Sequence, residues 1–113
     1  MSEVAAAGEV TLVALLRRKP GMSVDEFRTY WAEVHAPLVL STQSGGYVQR
    51  YERRLVVGDT DYDGVTIQTY ASYEDFVASM AAADFQTIAD DLPKFLDVNA
   101  IAWVVTGAPM VER

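Results

Sequence analysis

Between Val10 and Leu16 six of seven positions are apolar, and the run ends at "RRKPG". An unbroken short apolar run stopped by Pro20-Gly21 predicts a strand buried on both faces. "SVDE" then opens a helix: Ser23 can accept from the amide of Glu26, and Glu26 can reach back, which is a capping box. Phe27, Trp31 and His35 recur at i, i+4 and i+8, with Tyr30, Val34 and Leu38 beside them, so one stripe of the helix faces a core. Pro37 disfavours helical geometry at Ala36, which predicts that the regular helix ends near His35.

"STQSGG" reads as a loop. "YVQRYERRLVV" reads as a second strand with charge on both faces, suited to a sheet edge. "GDTDYDG" turns the chain into a third strand, "VTIQTY". Ser72 starts a second helix bearing Phe76, Val77 and Met80. Asp84 is placed to cap a further short helix with Phe85, Ile88 and Leu92, stopped by Pro93. "AIAWVV" is the last strand, ended by Gly107.

The predicted order is β-α-β-β-α-β, an α+β chain of the ferredoxin-like kind: one four-stranded antiparallel sheet with helices on one face. Residues 1–9 read as a flexible N-terminus and 10–113 as one domain. The first and last strands are apolar on both sides, yet helices cover only one. A second copy of the sheet, packed face to face, is the simplest way to bury the other, so a homodimer is expected.

Composition narrows the chemistry. The chain has 113 residues, a formal net charge of −7, one histidine and no cysteine. The acidic balance disfavours polyanions, so neither nucleic acid nor a membrane surface is an expected partner. Without cysteine there is no disulfide, thiolate zinc site or cysteine nucleophile, and a single histidine cannot build a multi-imidazole metal site. "MSEVAAAGEV" lacks the basic-then-apolar form of a signal peptide, so a cytoplasmic location is the default expectation. Asp59, Asp61, Asp63 and Gly64 match the opening of a calcium loop, but its closing glutamate is replaced by Tyr70 and the following residues read as a strand. The segment is taken as a polar turn, and no metal is expected.

His35 is therefore the group best able to move a proton near neutral pH, since an unperturbed histidine titrates near ~6.5. The bland alternative is a capping histidine at a helix end. Phe27 and Trp31 would wall off the space beside it, and Trp103 on the last strand would help. Tyr51 and Tyr70 are the tyrosines best placed to offer a phenol to a carbonyl or enolate oxygen, although either ring could simply pack on a strand face. Asp97, just before the last strand, could orient His35 from within the substrate site or cap a turn, and the turn is the commoner use of Asp.

Read as a whole, "RKPGMS-DEF--YW--VHAPL", then "RY", "YDGV" and "FLD", resembles the EthD family of the dimeric α+β barrel superfamily, named for ethyl tert-butyl ether degradation gene clusters. The resemblance spans roughly residues 12–105. It implies a ferredoxin-like protomer and a face-to-face dimer. Relatives of this kind include cofactor-free isomerases of methylmuconolactones and fungal proteins that decarboxylate or dehydrate polyketides. In the lactone isomerases a histidine at the end of the first helix is implicated in proton transfer, and His35 matches it. A second histidine and a cysteine used there have no counterpart here.

The expected function is thus a cofactor-independent enzyme acting on a small hydrophobic oxygenated ring compound by isomerisation, cyclisation, dehydration or decarboxylation. His35 is its general base, with Tyr51 or Tyr70 on the enolate oxygen. The alternative is a non-catalytic dimer that binds a hydrophobic metabolite or assists a partner oxygenase. Haem binding through His35 is a lesser one, because the surrounding motif does not resemble the superfamily's haem proteins.

Overall fold

The computed structural model describes residues 8–113; the expectation of a flexible N-terminus therefore lies, for residues 1–7, outside the described residues. Among the described residues four strands are formed: β1 (Val10–Leu16), β2 (Val48–Leu55), β3 (Gly64–Tyr70) and β4 (Ala102–Thr106). They pair antiparallel throughout in the order β2-β3-β1-β4, the ferredoxin-like arrangement. The charged strand β2 lies at an edge, as its two-sided charge predicts. Among the described residues, no helix is long and apolar enough to cross a membrane.

The first helical segment departs from the expectation. Helix α1 (Val24–Tyr30) begins at the predicted capping box, with Ser23 accepting from the Glu26 amide at 3.0 Å and the Ser23 amide donating to Glu26 at 2.8 Å. The chain does not leave helical geometry at Pro37. Instead Trp31–His35 form a π turn, in which the Ala36 amide donates to the Trp31 carbonyl, and α2 (Ala36–Ser41) continues with Ala36 at φ −62°, ψ −45°. A proline lacks the N–H that a helix interior needs and presses on the carbonyl one turn back. The wider π turn inserts one extra residue ahead of it and absorbs that conflict. The insertion also resets the buried face: Phe27, Trp31, His35 and Val39 point inward, while Val34 is 44% exposed.

Helix α3 (Tyr73–Ala81) starts as expected at Ser72, which accepts from the Asp75 amide at 3.1 Å. Helix α4 (Phe85–Asp91) begins after Asp84, but the Asp84 side chain does not cap it. That carboxylate accepts from the amides of Gln43 (2.7 Å) and Ser44 (3.1 Å), and so ties the loop after α2 to the start of α4. Ser44 and Ser79 brace the same junction, each hydroxyl donating to the other's carbonyl at 2.8 and 2.7 Å. Asp63, from the acidic turn, forms an ion pair with Arg18 at 2.5 Å.

Among the described residues two separate clusters make up the core. Leu16, Phe27, Trp31, Phe95 and Leu96 form one; Val10, Tyr70 and Phe76 form the other. Protein interiors are normally close-packed without a gap larger than a water molecule. Here the two clusters are separated by a cavity between sheet and helices, and both contribute to its lining.

Strand alternation makes the opposite face of the sheet apolar as well. Val13, Leu15, Val65, Ile67 and Val104 point away from the helices, bordered on β2 by the ladder Arg50–Glu52–Arg54 at 3.0 and 2.8 Å.

Gly64 opens β3 where the Trp31 ring crosses the strand, and a Cβ there would lie 2.4 Å from that ring. Trp31 is fully buried, so neither side can give way easily. Gly64→Ala is expected to lower stability by about 1–3 kcal/mol, read as a clear drop in Tm. An unchanged Tm would show that the Trp31 contact is looser than described.

Candidate functional site

The cavity has a volume of about 270 Å³ and is bounded mainly by apolar side chains from β1, α3 and α4, with few polar groups. Leu12 and Ala14 form its floor on β1, and Phe76, Ile88 and Phe95 part of its walls. Small-molecule sites are typically apolar hollows of roughly 300–1,000 Å³ with a few convergent polar groups. At about 270 Å³ this one lies just below that range.

His35 lines the cavity and is 5% exposed. The π turn puts it there. Its ring packs on Phe95, with centroids 4.8 Å apart, and its Nδ1 is 2.8 Å from Oδ2 of Asp91 at the end of α4. Asp91 is itself buried. Its Oδ1 accepts from the Tyr30 hydroxyl at 2.7 Å, and the Lys94 ammonium lies 3.7 Å away.

The electrostatics follow from these contacts. Burial pushes Asp91 towards its neutral form, but the Tyr30 hydroxyl, the His35 ring and Lys94 outweigh it and hold the carboxyl below its ordinary value. Burial lowers His35 below its ordinary value, against the opposing pull of Asp91. Near neutral pH the pair is thus a neutral imidazole donating from Nδ1 to an ionised carboxylate. Nε2 then carries the ring's lone pair. The Tyr30 phenol, pushed up to about 12 by burial and by Asp91, remains a donor throughout.

The second polar wall comes from the sheet. Tyr51 on β2 and Gln68 on β3 are register partners, and with Thr66 all three side chains line the cavity. Indole Nε1 of Trp31 donates to the Tyr51 oxygen at 3.2 Å. Burial raises Tyr51, so it stays a phenol.

The other residues singled out in the sequence fall elsewhere. Phe27 and Trp31 are fully buried behind the cavity and do not line it; they hold its surroundings rather than meeting a guest. Tyr70 does not line it either. Its ring packs edge-on against Phe76, and its hydroxyl donates to Oε1 of Gln68 at 3.1 Å. Trp103 does line the cavity, yet is 61% exposed on the edge strand β4, which puts it at the mouth. Asp97 neither lines the cavity nor reaches His35: it accepts from the Asn99 amide at 3.2 Å and caps the turn before β4. The carboxylate at His35 is Asp91. Its signal lay in the spacing Ile88, Asp91, Phe95, which puts an acid on the inward stripe of α4 and the turn that follows.

Residues 19–99 match the model of the EthD domain. No curated protein matches the chain significantly. Several solved structures do. A protein of the EthD family from Bacillus halodurans C-125 is 19% identical, with a TM-score of 0.72 over 90% of this chain and 99% of that one. SnoaB of Streptomyces nogalater, a cofactor-independent oxygenase, is 20% identical, with a TM-score of 0.67 over 94% and 98%. A dimeric ferredoxin-like protein of unknown function from Thermobifida fusca YX is 13% identical, with a TM-score of 0.67 over 89% and 92%. At these identities the likeness is one of fold.

The lowered His35 fixes a pH dependence of stability. Between its depressed folded value and the unfolded value of ~6.5 the unfolded chain binds more protons, so stability rises with pH across that window and is lost on acidification through it. Asp91 adds loss of the same sign at lower pH. Calorimetry is expected to show Tm falling once the pH drops below about 6.5, with that upper part of the slope removed in His35→Gln. A wild-type Tm independent of pH down to the carboxylate range would contradict the assignment.

Proposed function

This chain belongs to the EthD family, and on that footing we propose that it is a cofactor-independent acid/base enzyme acting on a small, hydrophobic, oxygenated ring compound. The observation that carries the reading is the His35–Asp91 pair, its imidazole lining a largely apolar cavity. An engineered apolar cavity of ~150 Å³ accommodates benzene, so about 270 Å³ suits one or two rings. The fold of SnoaB, a cofactor-independent oxygenase, gives the reading an example of chemistry on this framework without a bound cofactor.

The proposed chemistry is proton transfer next to a carbonyl. Nε2 of His35 takes the proton from the carbon, and the C–H electron pair moves into an enolate. Asp91 stabilises the imidazolium that forms and holds the ring in the tautomer that began the step. The Tyr51 phenol donates to the enolate oxygen. Return of the proton from Nε2 to a different atom gives isomerisation; departure of a hydroxide β to the carbonyl, which takes the proton from Nε2 to leave as water, gives dehydration. In a β-keto acid the bond to the carboxylate breaks in place of the C–H bond: CO2 leaves, its electron pair forms the same enolate, and a proton from solvent, passed through His35, completes decarboxylation. Leu12, Ala14 and Phe95 keep water from the reacting carbon.

The acting form is proposed to be a homodimer. The face of Val13, Leu15, Val65, Ile67 and Val104 is apolar and left uncovered by the chain's own helices, and the Thermobifida fusca neighbour is dimeric. A second copy of the same face is its natural cover.

Two outcomes are expected. Screened against ring ketones and lactones of one or two rings, His35→Gln should cut turnover by ~10²–10⁴-fold while leaving the circular dichroism of the fold unchanged. Turnover at wild-type level in that variant would remove His35 from the reaction. In light scattering, Ile67→Glu should convert the dimer to monomer; a wild-type monomer would contradict the assembly.

A further inference from the structure

Donors and acceptors on the cavity's sheet wall are unevenly spent. The Tyr51 oxygen accepts from Trp31 Nε1, a group that can only donate, at 3.2 Å. The oxygen thus serves as an acceptor for Trp31, with the Thr66 hydroxyl also beside it, and its own O–H can be offered to a guest. Gln68 is fixed from the other side. Its Oε1 accepts from the Tyr70 hydroxyl at 3.1 Å, which leaves the Nε2 amine as the amide's free end. Tyr51 and Gln68 are direct cross-strand partners whose side chains leave the same face and line the same cavity.

We propose that Tyr51 and Gln68 form a paired-donor site for a ligand oxygen that only accepts, a ketone, quinone or lactone carbonyl, and that Tyr70 is the positioning residue that fixes Gln68 as a donor. The site favours carbonyl over hydroxyl compounds: both convergent groups donate, so a hydroxyl oxygen held between them must turn its own proton away from the pair. This rests on the proposed acid/base reading in one respect, that the same oxygen becomes the enolate oxygen when His35 removes the neighbouring proton. The donors stabilise that charge without giving up their protons.

The test uses three probes on one two-ring frame: 1-tetralone, which bears a ketone, 1-tetralol, which bears a hydroxyl, and tetralin, which bears neither. Binding to the full chain is read by calorimetry, and the carbonyl stretch of bound 1-tetralone by infrared difference spectroscopy. Each hydrogen bond is worth about three- to tenfold in affinity. The wild type should therefore prefer 1-tetralone to tetralin by about tenfold or more, and should prefer it to 1-tetralol. Gln68→Leu should remove about three- to tenfold of that preference, leave tetralin binding unchanged and move the carbonyl band towards its position in an apolar solvent. Gln68→Met, of similar length, serves if the leucine variant fails to fold. Tyr70→Phe should keep the donor but release its orientation, broadening or splitting the band with little change in tetralin affinity. Three results would overturn the proposal: no saturable binding of 1-tetralone, tighter binding of 1-tetralol than of 1-tetralone, or an unchanged band in folded Gln68 variants. Deuterium exchange at C2 of 1-tetralone in heavy water separates this from the proton-transfer reading. A band that shifts on Gln68 substitution without any exchange in the wild type leaves the donor pair standing and removes His35 as base. Exchange lost in His35→Gln with a band indifferent to Gln68 does the reverse.

Discussion

The structure turns on a hydrogen bond between two buried side chains from different helices, His35 Nδ1 to Asp91 Oδ2 at 2.8 Å. Neither group is tolerable alone. An isolated buried carboxylate costs several kcal/mol, and an unpaired ring nitrogen would waste a bond. Together, with Tyr30 closing the second carboxylate oxygen, they join the end of the first helical segment to the end of α4. That link also assigns the imidazole its tautomer, because an ionised carboxylate can only accept. The contact that holds the two helices together is therefore also the one that leaves Nε2 as the basic nitrogen of a ring lining the cavity.

A second constraint acts on the sheet. In β3 the outward positions Val65 and Ile67 are apolar, while the helix-facing positions Thr66 and Gln68 are polar. A strand whose inner face were simply packed would show the reverse. The inversion fits two demands at once: an outer face that needs a cover, and an inner face that lines a cavity instead of a packed core. Trp31 connects the two sides of the site. Its ring fills the space over Gly64, its indole N–H engages Tyr51, and the Arg53 guanidinium lies 5.7 Å over the ring.

Much of the fold could be read from local signals. The capping box at Ser23, the serine before α3, the apolar run of β1 and the two-sided charge of β2 each depend on neighbours close in sequence, and each element forms where those signals put it. Pro37 misled for a physical reason: its local preference ends a helix, but a π turn upstream lets the helix pass, and burial of Trp31, His35 and Val39 rewards that continuation. The site was only half legible. His35 stood out as the sole imidazole, and Tyr51 by its strand position. Asp91 was hidden because its partner is 56 residues away. Asp97, nearer a predicted turn, took its place in the reading. Tyr70 and Gln68 share one face of β3, and nothing in the alternation tells which of the two meets the cavity and which packs on Phe76.

Because the chain has one histidine, its ring can be observed without assignment ambiguity. The most direct measurement is long-range nitrogen-proton correlation NMR of that ring in the ligand-free protein at pH 7.5. The account predicts a neutral ring with the proton on Nδ1 and an unprotonated Nε2, and loss of that single-tautomer signature in Asp91→Asn. A proton on Nε2, an imidazolium at that pH, or a ring that averages freely between tautomers would contradict it.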